Sequence, residues 1–403
     1  MARILYVNIA AEGHVNPTLG LVKQLVENGE EVVYMCTEEF RNKITSTGAK
    51  FLPYKLNEQA LAELGFSLTD VKHPLQFTEF MLRGFIEHSV PDILRLTKDE
   101  SFDFLMFDSM FGWGGHILSE KLGIPSICSL THFVVPTLAV QEMPPIDPGD
   151  YDVAALCERI MNAAQQVAAE LHVDVPSFED IAGMIGQHKI VFTSRYFQPY
   201  ADLIDDSYVY TGPSIASRED APHFPLEQLH SNYEQVVYIS MGTILNKDIE
   251  FYKLCFEAFK DIPAQFVLSC GKDTDLSEIS DSIPPQFIIE PYVPQLEVLQ
   301  HADAFITHAG MNSTSEGLYY NVPLVMLPLS ADQPYVAARV QELGAGIMLD
   351  KGSLTPEILK SALLQVLNDA SYKENAKKIG DSFREAGGHH AAAKHVMSLF
   401  SKV

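Results

Sequence analysis

Positive charge is scarce in this 403-residue chain: 28 lysines and arginines stand against 53 acidic residues, a formal net charge of −25. So acidic a surface repels phosphate-rich polymers and anionic membranes. Nucleic acid and lipid head groups are therefore poor partners, and a bound phosphate needs a local set of donors. Cysteine is scarce too: Cys36, Cys128, Cys157, Cys255 and Cys270 are scattered and form neither a CxxC pair nor a Cys/His cluster with zinc spacing, which reads as reduced thiols without a metal. No apolar run approaches the ~20 residues of a membrane span. The opening run, Ile4 to Ala11 behind Arg3, is broken by Asn8 and closed by Glu12, so it reads as a first buried strand rather than a signal peptide, and the location expected is the cytoplasm. Both common nucleotide loops are missing. There is no GxxxxGK, and no GxGxxG follows a strand; the first strand runs into Ala11-Glu12-Gly13-His14 instead, which argues against kinases, ATPases and ordinary nicotinamide enzymes. No internal repeat or low-complexity tract occurs.

What is present is alternation. Strand-length apolar runs at Arg3–Ala10, Glu31–Thr37, Phe102–Asp108, Pro125–Leu130 and Lys189–Ser194 alternate with helical patterns. The second half repeats the scheme at Gln235–Met241, Gln265–Cys270, Phe287–Ile289, Ala304–Thr307, Leu324–Leu327 and Gly346–Leu349. Such alternation predicts βαβ units and doubly wound parallel sheets, and the length suits two domains. The expected division is an N-terminal domain over 1–212, a linker over 213–232, a C-terminal domain over 233–385, and a terminal helix over 386–403 set off by Gly387-Gly388. In the first crossover, Asn16 is the expected cap and Pro17 the first helical position. Leu19, Val22, Leu25 and Val26 form the apolar face before Asn28-Gly29.

The densest chemistry lies between Tyr292 and Gln333. Tyr292-Val293-Pro294-Gln295, His308-Ala309-Gly310-Met311-Asn312-Ser313-Thr314, Glu316 and Asp332-Gln333 sit at the ends of strand-like runs, the edge of an open α/β sheet where ligands bind. His308 to Thr314 joins a strand to a helix start. Unpaired N–H groups and about half a positive charge there suit a diphosphate. Ser240-Met241-Gly242-Thr243 repeats the arrangement. Ser313-x-x-Glu316 also matches a capping box, so capping and phosphate contact remain open for Ser313. The triplets Asp150-Tyr151-Asp152 and Asp273-Thr274-Asp275 read as solvated surface in so acidic a chain.

His14 follows the first strand, facing the cleft that two such domains would form, and its near-neutral unperturbed pKa suits a general base for a hydroxyl. Asp108 ends a strand at the same sheet edge and would orient the imidazole. Taken singly, His14 could be a loop residue bonding backbone, and Asp108 a cap for the helix near Gly112. Phe77 and Met81, at helical spacing, with Phe111 and Phe133, are the expected walls of an apolar acceptor pocket; ordinary core packing competes for each of them.

These motifs, from Gly13-His14-x-Asn16-Pro17 to the terminal helix, resemble the UDP-sugar-dependent glycosyltransferases of the two-Rossmann-domain type, GT-B, and most closely the bacterial macrolide-glycosyltransferase-like enzymes. The resemblance implies two Rossmann-like doubly wound domains facing a cleft, the terminal helix crossing back to the first. It implies that Tyr292 stacks on uracil, that the Val293 backbone reads its edge, and that Gln295 and Glu316 bond the ribose. His308, Asn312, Ser313 and Thr243, at the turn containing Gly310, would hold the diphosphate, and Asp332 and Gln333 the sugar. The implied activity is inverting transfer of a hexose, glucose by Gln333, from UDP-sugar to a small lipophilic acceptor such as a flavonoid, macrolide or other phenol. His14 and Asp108 would be the catalytic pair, with no metal or other cofactor and a monomeric enzyme. A UDP-sugar epimerase on the same fold and a non-catalytic sugar-nucleotide-binding protein are the competing readings. Three positions depart from the family pattern: Tyr292 and Met311 stand where plant members have Trp, and Asn321 where Gly usually precedes Val-Pro.

Overall fold

The computed structural model describes residues 1–56, 74–136, 152–177, 181, 186–216, 224–229, 232–242, 246–272, 274–277, 279–330 and 332–400. Among these, the apolar runs become strands of two wholly parallel sheets. The first holds β1 (Arg3–Val7), β2 (Glu31–Cys36), β3 (Lys50–Pro53), β4 (Phe104–Asp108), β5 (Ser126–Leu130), β6 (His188–Val191) and β7 (Tyr208–Tyr210) in the order β3-β2-β1-β4-β5-β6-β7. The second holds β8 (Gln235–Ser240), β9 (Ala264–Ser269), β10 (Phe287–Glu290), β11 (Ala304–Thr307), β12 (Leu324–Met326) and β13 (Gly346–Met348) in the order β10-β9-β8-β11-β12-β13. The chain forms two compact units, Met1–Ala216 with Ala386–Val403, and Ser217–Glu385. Of the expected linker, residues 217–223 and 230–231 lie outside the described residues.

Central strands read as continuous apolar runs because both their faces are covered. Along β1, Leu5 and Val7 point into one core with Leu105 and Phe107, while Ile4 and Tyr6 point into another with Phe104 and Met106. That second core takes in Ala392, Ala393, Val396 and Leu399 of the terminal helix (Gly388–Phe400). The Phe104 and Phe400 rings lie 4.4 Å apart. Gly387 and Gly388, with φ of 92° and 61°, make the left-handed turn that aims this helix at the first sheet.

Two edge strands, β3 and β7, go beyond the sequence reading, and the first helix starts earlier than its apparent cap. It spans Glu12–Glu27 behind Ala11, with Pro17 inside it rather than at its first position. Extended Ala11 already ends the strand turn, so five more residues become helical. His14 is thereby a first-turn helical residue, not a loop residue.

Asn321 has a φ of 63°, the left-handed region that favours glycine and that asparagine tolerates best among other residues. Its Oδ1 accepts from Arg384 Nη2 at 2.7 Å, a bond glycine could not make.

Candidate active site

The register of the first sheet assembles the first half of the site. Val7 lies opposite Phe107 and Asp108 opposite Ser129, so the chain emerges at the carboxyl edge with Asn8, Asp108 and Thr131 on adjacent strands. Asp108 is fully buried, and its two oxygens divide the two roles the sequence left open. Oδ1 accepts from the Met110 N–H at 2.8 Å, capping the short turn Ser109–Phe111. Oδ2 meets His14 Nδ1 at 2.8 Å. Thr131 Oγ1 stands 3.0 Å from the same nitrogen. Two oxygens facing Nδ1, one of them acceptor-only, put the hydrogen on Nδ1 and leave the lone pair on Nε2. His14 keeps 19% of its side-chain surface exposed while Asp108 keeps none. A buried carboxylate thus holds a reachable imidazole in one tautomer.

Beside it, His132 Nδ1 donates to the Phe133 carbonyl at 2.9 Å, so its Nε2 accepts from Ser109 Oγ at 2.9 Å. Sequence reasoning missed Thr131, which has no motif of its own. Nothing but its place one residue beyond β5 could have signalled it.

The aromatic walls fare differently. Phe111 is fully buried and offers a ligand no surface, and the core-packing reading replaces the pocket reading there. Its ring lies where a side chain on Gly114 would have to go, 2.8 Å from the Cβ an alanine would place there. Phe133 is 7% exposed and packs on Phe197, with ring centroids 5.3 Å apart. Met81 is 5% exposed in the first core, and Phe77 is partly buried against it. The helical spacing of this segment is real but irregular: Met81–Ile86 is a π-helical stretch between helices Pro74–Phe80 and Glu87–Leu96. Such stretches often occur at functional sites.

In the second unit the polar groups line the carboxyl edge of the sheet. Tyr292 and Val293 follow β10, Ser240 to Gly242 end β8, His308 to Gly310 follow β11, and Leu327 to Ser330, Asp332 and Gln333 follow β12. Thr243 lies outside the described residues. Tyr292 is 36% exposed whereas Val293 is 2% exposed, so the pair offers a ring and a backbone. Gln295 Nε2 donates to Glu316 Oε2 at 2.5 Å, and Gln295 Oε1 accepts from Tyr238 Oη at 3.2 Å.

The capping box is overturned. The helix Met311–Tyr319 has Gly310 as N-cap without a side-chain cap bond, so Ser313 is its third residue rather than its cap, and Glu316 pairs with Gln295 instead. Extended Gly310 starts the helix three residues before Ser313 could.

His308 is packed between two glycines. A Cβ on Gly310 would fall 2.5 Å from its Nε2, and one on Gly242 2.7 Å from its Cε1. Burial pushes the imidazole pKa down to about 4, against a hydrogen bond to the Ser240 backbone that raises it. The ring is therefore neutral near pH 7, a donor or acceptor rather than a cation. Ala309, between His308 and Gly310, has a φ of 65°. A left-handed alanine costs on the order of 1 kcal/mol and marks a turn held by its surroundings. Asn312 and Ser313 are half-buried in the first turn of the helix. Gln333 is partly committed locally: its Oε1 accepts from the Leu329 and Ser330 N–H groups at 2.8 and 3.2 Å. Asp332, before it, makes no side-chain cap bond to the helix Gln333–Glu342.

The acidic triplets serve local turns in the residues described: Asp152 Oδ1 accepts from Ala155 N at 3.0 Å, and Asp275 Oδ1 from Ser277 N at 2.9 Å. No helix of the described residues is long and apolar enough to cross a membrane.

Two doubly wound units, one with a His–Asp pair at its sheet edge and the other with a helix start flanked by ring, carboxamide and carboxylate groups, are the parts of a group-transferring enzyme of GT-B architecture. Comparison with known proteins gives the family. The model for "UDP-glucoronosyl and UDP-glucosyl transferase" matches residues 87–385. A UDP-glucosyltransferase of Bacillus subtilis (strain 168), YojK, is 36% identical over 401 residues, covering 98% of this chain and 97% of its own. The NDP-glycosyltransferase YjiC of Bacillus licheniformis is 34% identical over 408 residues, covering 98% and 96%. The solved structure of the kitacinnamycin glycosyltransferase superposes with a TM-score of 0.83 at 26% identity, covering 98% of both chains. The chain belongs to the UDP-glycosyltransferase family and is a glycosyltransferase of the macrolide-glycosyltransferase-like type.

Proposed function

We propose that this enzyme transfers glucose from UDP-glucose to a hydroxyl of a small lipophilic acceptor, a flavonoid, macrolide or other phenol, with inversion and with His14 as general base. The observation that carries the reading is the 2.8 Å contact between His14 Nδ1 and a fully buried Asp108 carboxylate, which leaves Nε2 as the basic nitrogen. His14 Nε2 takes the acceptor proton and the hydroxyl oxygen bonds to the anomeric carbon. The bond from that carbon to the β-phosphate oxygen breaks, and UDP carries away the electron pair. Asp108 stabilises the imidazolium that forms.

In the second unit, Tyr292 stacks on uracil, the Val293 backbone reads its edge, and the Gln295–Glu316 pair bonds the ribose. His308, Asn312 and Ser313, with Thr243, hold the diphosphate at the helix start beside Gly310. Neutral His308 acts there as a hydrogen-bond donor while the helix N–H groups supply the positive field, so the departing diphosphate is stabilised by the protein's own groups and the reaction needs no metal. Asp332 and the Gln333 amide take the sugar hydroxyls. Of the proposed acceptor walls, Phe77 and the little-exposed Met81 and Phe133 remain. The enzyme works as a cytoplasmic monomer, divided as 1–212, 213–232, 233–385 and 386–403, with UDP-sugar as co-substrate and no other cofactor.

A mass-spectrometric screen of UDP-glucose and related sugar nucleotides against phenolic and macrolide acceptors tests this. The expected result is one added hexose on a phenol or macrolide, with UDP-glucose the best donor. A donor converted to another sugar nucleotide without any acceptor present, or no product from any acceptor despite UDP binding, would contradict it.

A further inference from the structure

The first turn of the helix Glu12–Glu27 rests on a buried polar chain that its sequence motif does not announce. Asn8, the residue beyond β1, is wholly inaccessible to solvent, yet every polar atom of it is engaged. Its N–H donates to the Met35 carbonyl at 3.0 Å, and its carbonyl accepts from Tyr54 Oη at 2.8 Å. Its Oδ1 accepts from the Ile9 N–H at 2.8 Å. Its Nδ2 has two acceptors, the His14 carbonyl at 3.0 Å and Tyr34 Oη at 2.7 Å.

The proton directions of the chain are fixed by its end. Thr18 Oγ1 donates to the Val15 carbonyl at 2.8 Å, so the Tyr34 hydroxyl, 2.7 Å from Thr18 Oγ1, donates to it and accepts from Asn8. One directed chain thus runs from the end of β1 through β2 to the carbonyl of Val15, and a second bond from the same carboxamide holds the carbonyl of His14 itself. Satisfied buried networks of this kind rigidify what they hold, and leaving one member unpaired is costly. The helix needs the support. Pro17, inside it, has no N–H to give the carbonyl four residues back, which weakens the very turn that carries His14.

We infer that Asn8 is a positioning residue for transfer, setting the depth and orientation of His14 through its backbone, with Tyr34 holding the Asn8 carboxamide in place. The inference rests on the reading of His14 as the base. Asn8 touches no reacting atom. It acts by keeping the imidazole in line with the Asp108 carboxylate on the neighbouring strand, and a misplacement of about 1 Å costs on the order of 10²-fold in rate.

The test is steady-state kinetics of Asn8→Ala and Tyr34→Phe with UDP-glucose and an accepted phenol, each rate divided by the folded fraction, beside His14→Ala. Asn8→Ala is expected to lower kcat about 10- to 100-fold and Tyr34→Phe about 3- to 10-fold, with KM for UDP-glucose and Kd for UDP within twofold of the parent. In the proton NMR spectrum, the low-field signal of the His14–Asp108 hydrogen bond should weaken or move in both variants. Tyr34→Phe keeps the ring that packs 4.8 Å from Tyr6 and removes only the hydroxyl, so it decides the matter if Asn8→Ala does not fold. Unchanged kcat per folded molecule in Tyr34→Phe, with an unmoved low-field signal, overturns the inference while loss of activity in His14→Ala leaves the base intact. Near-normal turnover in His14→Ala overturns both.

Discussion

Replacing His14 by alanine is expected to slow glycosyl transfer by about 10²–10⁴-fold, the worth of a positioned general base, while UDP binding stays within twofold of the parent. The split follows from where the groups lie. His14 belongs to the unit of the first sheet, and the Tyr292-to-Gln333 groups proposed for the donor belong to the other. The substitution has a structural cost as well. It takes from the buried Asp108 carboxylate its partner at 2.8 Å and leaves the Met110 N–H on the other oxygen, so some loss of thermal stability accompanies the loss of rate. Rates should therefore be divided by the UDP-binding fraction from calorimetry. Turnover within about tenfold of the parent after that correction would remove His14 from the role of base.

Asp108→Asn is expected to be nearly as damaging, up to about 10⁴-fold, although it changes one atom and adds no bulk. The reason lies in the division of the two oxygens. The Met110 N–H needs an acceptor, so the new carboxamide turns its oxygen there and presents its NH₂ to His14 Nδ1. Nδ1 must then accept, the hydrogen moves to Nε2, and the nitrogen facing the acceptor hydroxyl is no longer basic. Asp108→Ala makes a useful contrast. Thr131 Oγ1, 3.0 Å from Nδ1, can still accept its hydrogen, so the correct tautomer survives and alanine should retain more activity than asparagine. The reverse order in steady-state rates would show that Asp108 acts by some means other than setting the tautomer.

The parts of this architecture that were legible beforehand are those with a strong local signature. Every strand read from an apolar run is present, because a parallel strand covered on both faces must be apolar along its whole length. The two strands missed, Lys50–Pro53 and Tyr208–Tyr210, lie at the edges of the first sheet, where an exposed lysine, a proline or simple brevity hides the pattern. The start of the first helix was misplaced because Asn16-Pro17 is a good local start, whereas the actual start at Glu12 is set by the end of β1. The capping reading of Ser313 and Glu316 failed for the same kind of reason: Gly310 begins that helix without a side-chain cap, freeing the carboxylate for Gln295.

Polar networks between distant segments were the least legible. Asn8 registered in the sequence only as an interruption of an apolar run. Its partners Tyr34 and Tyr54 come from β2 and from just beyond β3, and no spacing connects them to His14. Phe111 looked like a pocket wall because aromatic residues near a sheet edge often are, yet the close approach of Gly114 encloses it completely.

The central claim is a single direct displacement driven by a base on the acceptor side, and the configuration of the product tests it most directly. The enzyme would be given UDP-α-glucose and a phenolic acceptor, and the anomeric proton of the first-formed glycoside read by NMR before any later equilibration. The expected product is the β-glycoside, with the large diaxial coupling of its anomeric proton. An α-glycoside would require a second displacement or a front-side route, and would contradict the role given to His14 and Asp108.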